Sequence, residues 1–145
     1  MSPTAPCTFC RIIAGQAPGN FVFRDTAVVA IVDLRQVTEG HVLVMPRAHF
    51  ETIDDLDEAT AAKLAWSTVR VSRAVRRAYA PDGINVWSSN GKAAGQEVPH
   101  VHIHVLPRLA GDGLMRVYPG EPLERYNADS EVLARVAQLV SKALA

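Results

Sequence analysis

The chain has 145 residues, of which 48% are hydrophobic and 21% charged, the size and balance of one ordinary soluble domain. A chain of this length buries roughly 68–70% of its unfolded surface, so a core forms without disulfide staples, and disordered, collagen-like and coiled-coil compositions are excluded. Fifteen basic residues balance fifteen acidic ones, which argues against a nucleic-acid binder built on phosphate contacts.

The first six residues, Met1 to Pro6, carry neither a basic segment nor an apolar signal core. The longest apolar run, Ala27 to Val32, falls far short of the ~18 residues that span a membrane, so the expectation is a cytoplasmic protein without a membrane partner. Cys7 and Cys10 are the only cysteines, and in a reducing compartment their spacing suggests metal or redox chemistry before a structural disulfide. Phe21 to Arg24 and Val28 to Asp33 are β-rich runs separated by Asp25-Thr26, a hairpin pattern, and Val42 to Met45 is a third strand stopped by Pro46. A long helix is predicted over about 57–79. Asp54, Asp55, Asp57 and Glu58 crowd its start and Arg73, Arg76 and Arg77 its end, which suits the helix dipole. Its apolar face recurs at Ala61, Leu64, Ala65, Thr68, Val71, Val75 and Ala78, and Pro81-Asp82-Gly83 ends it. Ile84 to Ser88 is a fourth strand, Gly91 to Gly95 a loop, and His100 to Leu106 a fifth strand stopped by Pro107. Ala110 to Asn127 reads as an irregular arm before a closing helix capped near Asp129 or Ser130.

This order gives an α+β fold: a five-stranded, mostly antiparallel sheet with one long and one C-terminal helix. Residues 1–145 form a single domain, with its core at about 7–108 and the arm and closing helix at 109–145. The helices are too few to cover both faces of the sheet, so one face is left for a ligand or a partner.

Three of the five histidines lie in His100-Val101-His102-Ile103-His104-Val105. On a strand the three imidazoles share a face, while Val101, Ile103 and Val105 point into the core. A rise of ~3.3 Å per residue puts neighbouring histidine Cα atoms ~6.6 Å apart and the outer two ~13 Å. One metal accepts an adjacent pair but not all three. The row is therefore a two-histidine metal site with a spare, or a catalytic row with His102 flanked on both sides. No Gly-x-Ser-x-Gly competes for the role of nucleophile. Imidazole can itself attack phosphorus, and it titrates near neutrality.

The row resembles the motif of the histidine-triad nucleotide hydrolases and transferases, His-φ-His-φ-His-φ-φ, met here by His100 to Leu106. Further blocks match in order: Cys7 to Gly15, Asp33, Gly40 to Pro46 with His49, and Asn90 to Pro99. The chain is similar to bacterial-type members with an N-terminal Cys-x-x-Cys. The resemblance implies that His102 attacks the α-phosphorus of a nucleotide, that His104 hydrogen-bonds phosphoryl oxygens near the leaving group, and that His41 orients the row. It implies that Asp33 accepts from the ribose hydroxyls, that Phe9, Ile12, Ile31 and Leu34 hold the purine, and that Gln96 and the backbone at Glu97 and Val98 hold the phosphate; Asn90 reads equally as a nucleotide-binding residue and as a turn residue. It also implies a structural zinc on Cys7, Cys10, His49 and His100, and a homodimer that joins two sheets into one through the long helix and the fourth strand.

Three positions depart from the family pattern. Glu97 stands where the phosphoramidase branch carries a serine that touches the phosphoryl group. Ser89 stands where the diadenosine-polyphosphate branch has a glutamine. Gln36 replaces a common proline after Asp33 and reads as neutral. The leading expectation is an adenosine 5′-monophosphoramidase-like hydrolase or nucleotidyl transferase acting on purine nucleotide amides or esters. A diadenosine polyphosphate hydrolase is the alternative within the enzyme class. The rivals outside it are a nucleotide-binding regulatory protein with vestigial catalysis and a zinc metallohydrolase ligated by His100 and His102.

Overall fold

The computed structural model describes residues 7–114 and 128–144. The chain divides into two compact units, Met1–Asp112 and Gly113–Ala145. In the first, α1 (Thr8–Ile13) precedes β1 (Phe21–Arg24), β2 (Val28–Val32) and β3 (Val42–Pro46), and α2 (Glu58–Tyr79) leads to β4 (Gly83–Trp87) and β5 (Ile103–Arg108). The strands form one sheet in the order β1-β2-β3-β5-β4, and every pairing is antiparallel. In the second unit, α3 (Ser130–Ala143) starts where its cap was predicted, the Asp129 carboxylate accepting from the Val132 N–H at 2.9 Å. Residues 115–127 of the predicted arm lie outside the described residues. No described helix is long and apolar enough to cross a membrane.

Period-two alternation sorts the strand residues onto two faces. Val28, Ala30, Val42, Val44 and Val105 pack against Leu64, Val71 and Val75 of α2. Asp57 caps that helix by accepting from the Thr60 N–H at 2.8 Å. On the opposite face, Val29, Ile31, Leu43 and Met45 pack against Phe9 and Ile12 of α1. The face expected to stay open is thus partly covered by a six-residue helix too short to show a periodicity. Across this face runs a lateral row with one residue from each strand: Phe21, Ile31, Leu43, His104 and Trp87. It joins an apolar floor at one end to an imidazole and an indole at the other.

The fifth strand differs from its predicted span, starting at Ile103 and running through Pro107 to Arg108. Pro46 has no N–H to extend the β3–β5 ladder, and its carbonyl accepts instead from the His100 ring at 2.9 Å. The Val101 N–H is drawn aside to the Phe50 carbonyl at 2.7 Å. At the other end, β3 pairs with β5 only over Ile103–Val105, so Pro107 has β4 alone as a neighbour. A proline is tolerated at such an open side. Pro46 likewise closes β3 from within, and β4 starts one residue earlier than predicted, at Gly83.

Candidate active site

The β2–β3 connection, residues 33–41, is built to deliver His41. Gly40 has φ +101°, and a Cβ there would meet the Tyr79 ring at 2.7 Å, so only glycine lets the chain pass. The Asp33 N–H donates to the His41 carbonyl at 3.0 Å and closes the loop. Gln36 braces it from inside. Its Nε2 donates to the Asp33 carbonyl at 2.6 Å and the His41 carbonyl at 2.9 Å, while its Oε1 accepts from the N–H groups of Gly40 at 2.8 Å and His41 at 3.2 Å. The reading of Gln36 as neutral is therefore corrected. A proline at that position offers no side-chain donor or acceptor and could make none of these bonds.

From this loop a polar chain leads to the histidine row. His41 Nδ1 lies 3.4 Å from Asp33 Oδ2, and its Nε2 lies 3.0 Å from His104 Nδ1. Trp87 stacks on His104, with ring centroids 4.2 Å apart and planes inclined by 4°, and its ring also lies 5.8 Å from that of His41. Burial, reinforced by the nearby His102 and His41 imidazoles, pushes His104 down to about 4. His102 is set differently. Its Nδ1 lies 2.7 Å from the His100 carbonyl, which can only accept, so Nδ1 carries the proton and Nε2 keeps its lone pair. Burial holds His102 below the usual imidazole range, so the neutral, nucleophilic form prevails at neutral pH.

These groups line a cleft of about 430 Å³. Phe9, Ile12, Ile31, Leu34 and Leu43 form its apolar side; Asp33, His41, His102, His104, Glu97 and Val98 line the rest. Two expected members are elsewhere. The Asn90 Oδ1 accepts from the Ile53 N–H at 2.7 Å. The Gln96 amide accepts from the Gly91 N–H and donates to the Glu51 carbonyl, each at 2.7 Å. Both side chains are engaged in tying the loop before β5 to residues 51–53, and neither lines the cleft. Trp87 and Arg35 line it without having been singled out in the sequence. Trp87 enters through the pairing of β4 with β5, which no local pattern announces. At the mouth the Arg35 guanidinium grips the Glu97 carboxylate in a bidentate ion pair.

Behind the cleft, Cys7, Cys10, His49 and His100 converge, their ligand atoms all within 4.8 Å of one another. Cys7 Sγ and Cys10 Sγ each lie 3.5 Å from His100 Nδ1, and Cys10 Sγ lies 3.4 Å from His49 Nδ1. A tetrahedral centre with metal–sulfur bonds of about 2.3 Å and metal–nitrogen bonds of about 2.0–2.1 Å has S···N edges of roughly 3.5 Å, which these match. His100 is fully buried, and its Nε2–H donates to the Pro46 carbonyl, turning the Nδ1 lone pair toward the two sulfurs. Burial and the neighbouring Cys7 push the Cys10 thiol up to about 11, so a thiolate pair here calls for a cation. The four residues can thus hold a metal ion. The proposed sharing of one metal by His100 and His102 is not seen, since His102 Nδ1 is turned to a carbonyl and His102 belongs to neither of the described ligand clusters. The other cluster, Asp33, His41 and His104, has its two imidazole nitrogens at hydrogen-bond distance and reads as a polar relay.

A family model described as the HIT domain matches residues 14–111. The crystal structure of a HIT family protein from Bacillus subtilis superposes with a TM-score of 0.88 at 34% identity, covering 97% of this chain and 99% of that one. A zinc-bound histidine triad family protein from Mycobacterium smegmatis superposes with a TM-score of 0.72 at 36% identity, covering 94% and 97%. Among curated relatives, the adenylylsulfatase HINT3 of Arabidopsis thaliana is 33% identical over 93% of this chain and 66% of its own length.

Proposed function

The chain belongs to the HIT family, and we propose that it is a hydrolase or nucleotidyl transferase acting at the α-phosphorus of purine nucleotide amides or esters. The observation that carries this reading is the 2.7 Å bond from His102 Nδ1 to the His100 carbonyl, which leaves Nε2 as a fixed lone pair in a residue lining the cleft. Nε2 attacks phosphorus, a P–N bond to the histidine forms, and the bond to the leaving group breaks with its electron pair going to the leaving atom. Water then displaces the histidine, releasing the nucleoside monophosphate. His104, aligned through His41 and stacked on Trp87, hydrogen-bonds the phosphoryl oxygens. Asp33 receives the ribose hydroxyls, with the purine on the Phe9–Ile12–Ile31–Leu34 side. The chemistry of the HINT3 relative, named an adenylylsulfatase, agrees with attack at an adenylyl phosphorus.

His102→Asn tests this directly. Wild-type protein mixed with adenosine 5′-phosphoramidate is expected to accumulate a nucleotidylated chain detectable by mass after acid-free quenching, and the variant to lose turnover while still binding AMP. Near-wild-type turnover in His102→Asn refutes the covalent mechanism. AMP binding with no turnover in the wild type favours the regulatory, non-catalytic alternative.

The Cys2His2 cluster is proposed to hold zinc, in line with the zinc-bound mycobacterial relative. Zinc there pins α1, and with it Phe9 and Ile12, to the sheet and closes its own coordination shell, so its role is structural. A homodimer is proposed through β4, an edge strand of the sheet, and α2, where Val86, Trp66 and Val69 are exposed. A cytoplasmic location suits two thiols used as ligands.

A further inference from the structure

Glu97 puts a carboxylate in the same cleft as His102 and His104, where a phosphoryl anion must approach. Left alone, it would repel every nucleotide that the cleft could receive. Arg35 removes that conflict from the opposite lip: its guanidinium clasps Glu97 through both nitrogens across a sequence separation of 62 residues. The backbone of Arg35 is itself part of the relay loop. Its N–H donates to Asp33 Oδ1 at 2.8 Å and its carbonyl lies 3.4 Å from His41 Nδ1. The guanidinium is thus hung from the same frame that sets His104, with a long side chain free to exchange partners.

Both ends of the pair are well exposed, at 74% for Arg35 and 63% for Glu97. Exposed pairs contribute little to stability, so this one opens at small cost. A second anion presented at the mouth competes with Glu97 for a guanidinium whose planar fork suits carboxylate, phosphate and sulfate alike. Resting on the hydrolase reading above, we infer that Arg35 is a specificity-determining residue that receives the anionic leaving group of the nucleotide, with Glu97 as the stand-in anion that occupies it between turnovers. The favoured substrates are then mixed anhydrides of a nucleoside monophosphate with a second oxyacid. When His102 Nε2 attacks phosphorus, the P–O bond to the second acid breaks, its electron pair stays on the departing oxygen, and the oxyanion leaves on Arg35 without needing a proton. A nucleotide amide gains nothing from Arg35, because its leaving amine must take up a proton and departs uncharged or cationic.

The test compares adenosine 5′-phosphosulfate with adenosine 5′-phosphoramidate as the ratio of their kcat/KM values. In Arg35→Ala the ratio is expected to fall by roughly 10- to 100-fold, the worth of one charge-assisted hydrogen-bonding contact. In Glu97→Gln, which frees the guanidinium, the ratio is expected to rise. A ratio that stays within twofold of wild type in Arg35→Ala overturns the inference while leaving the hydrolase reading intact. Calorimetric binding of AMP and ADP, the latter with an extra phosphate in the leaving-group position, gives a readout independent of turnover. Arg35→Ala should weaken ADP more than AMP, and equal weakening of the two overturns the inference. If no substrate turns over but the ADP preference depends on Arg35, the hydrolase reading fails and the anion site stands. Melting curves establish that both variants fold, as expected for exposed positions.

Discussion

Gln36 offers a sharp test of how the site is held. Its amide makes four bonds to the backbone of Asp33, Gly40 and His41, and it is the one side chain joining both ends of the loop between β2 and β3 in this way. Gln36→Met keeps the volume and removes all four. Each such bond is worth about 0.5–1.5 kcal/mol net, and because the residue is exposed, water replaces much of what is lost. The expected destabilisation is about 1–2 kcal/mol in total, or a fall in Tm of roughly 2–8 °C. The larger effect is on the chemistry. His41 contacts His104 through a single 3.0 Å bond, and a displacement of about 1 Å can cost on the order of 10²-fold in rate. Steady-state hydrolysis of an adenylyl substrate, read with a melting curve, should therefore show kcat falling roughly tenfold to a hundredfold, beyond what partial unfolding accounts for. KM should change less, because Phe9, Ile12, Ile31 and Leu43 of the apolar side stand on α1, β2 and β3, outside this loop. A Gln36→Met variant with kcat within twofold of wild type refutes the positioning role.

Two further predictions concern the metal cluster and pH. Cys7→Ser/Cys10→Ser should reduce bound zinc from about one equivalent to under a tenth and lower Tm, since three distant pieces of chain lose their clamp. Turnover should survive at saturating substrate, and elemental analysis with unchanged stability in the double variant would refute the clamp. His104, held near 4 by burial and its two imidazole neighbours, must bind its proton more weakly folded than unfolded. The stability this provides is complete above an ordinary imidazole value of about 6.5 and is lost as pH falls from there toward 4. Melting temperature should thus drop over that window, and His104→Gln should flatten the drop; an identical slope in the variant would refute the assignment.

Most of the fold was legible because its signals are local. The acidic start and basic end of α2, the Asp57 and Asp129 caps and the valine-rich apolar runs of β2 and β3 each follow from a few neighbouring residues. The errors lie where a distant partner overrules the local signal. Local rules end a strand at Pro107, yet it sits inside β5 because β3 has already left that side. His100 and His102 precede the strand because the Pro46 carbonyl is claimed by an imidazole and not by a backbone amide. The helix α1 has no legible signal in the sequence, because six residues carry too little pattern to identify.

The site divides along the same line. The row His100, His102 and His104 stands out by residue type and spacing, and Cys7–Cys10 by its spacing, while His41 and the ligand set with His49 and His100 follow only from the family resemblance. Residues that set how those groups behave have no such mark. Gln36 is one amide among the loop residues until both its ends are seen to be bonded, and Trp87 is an ordinary strand aromatic until the register lays it on His104. In the sequence Glu97 is only a missing hydroxyl; its meaning depends on its ion pair with Arg35, 62 residues away in the chain. The replacement of a neutral contact by a carboxylate at a phosphoryl site is unfavourable by itself and becomes intelligible only with its cation. The substitution at 97 is therefore to be read as half of a pair, and the charge of the leaving group is the substrate property to which such a pair responds.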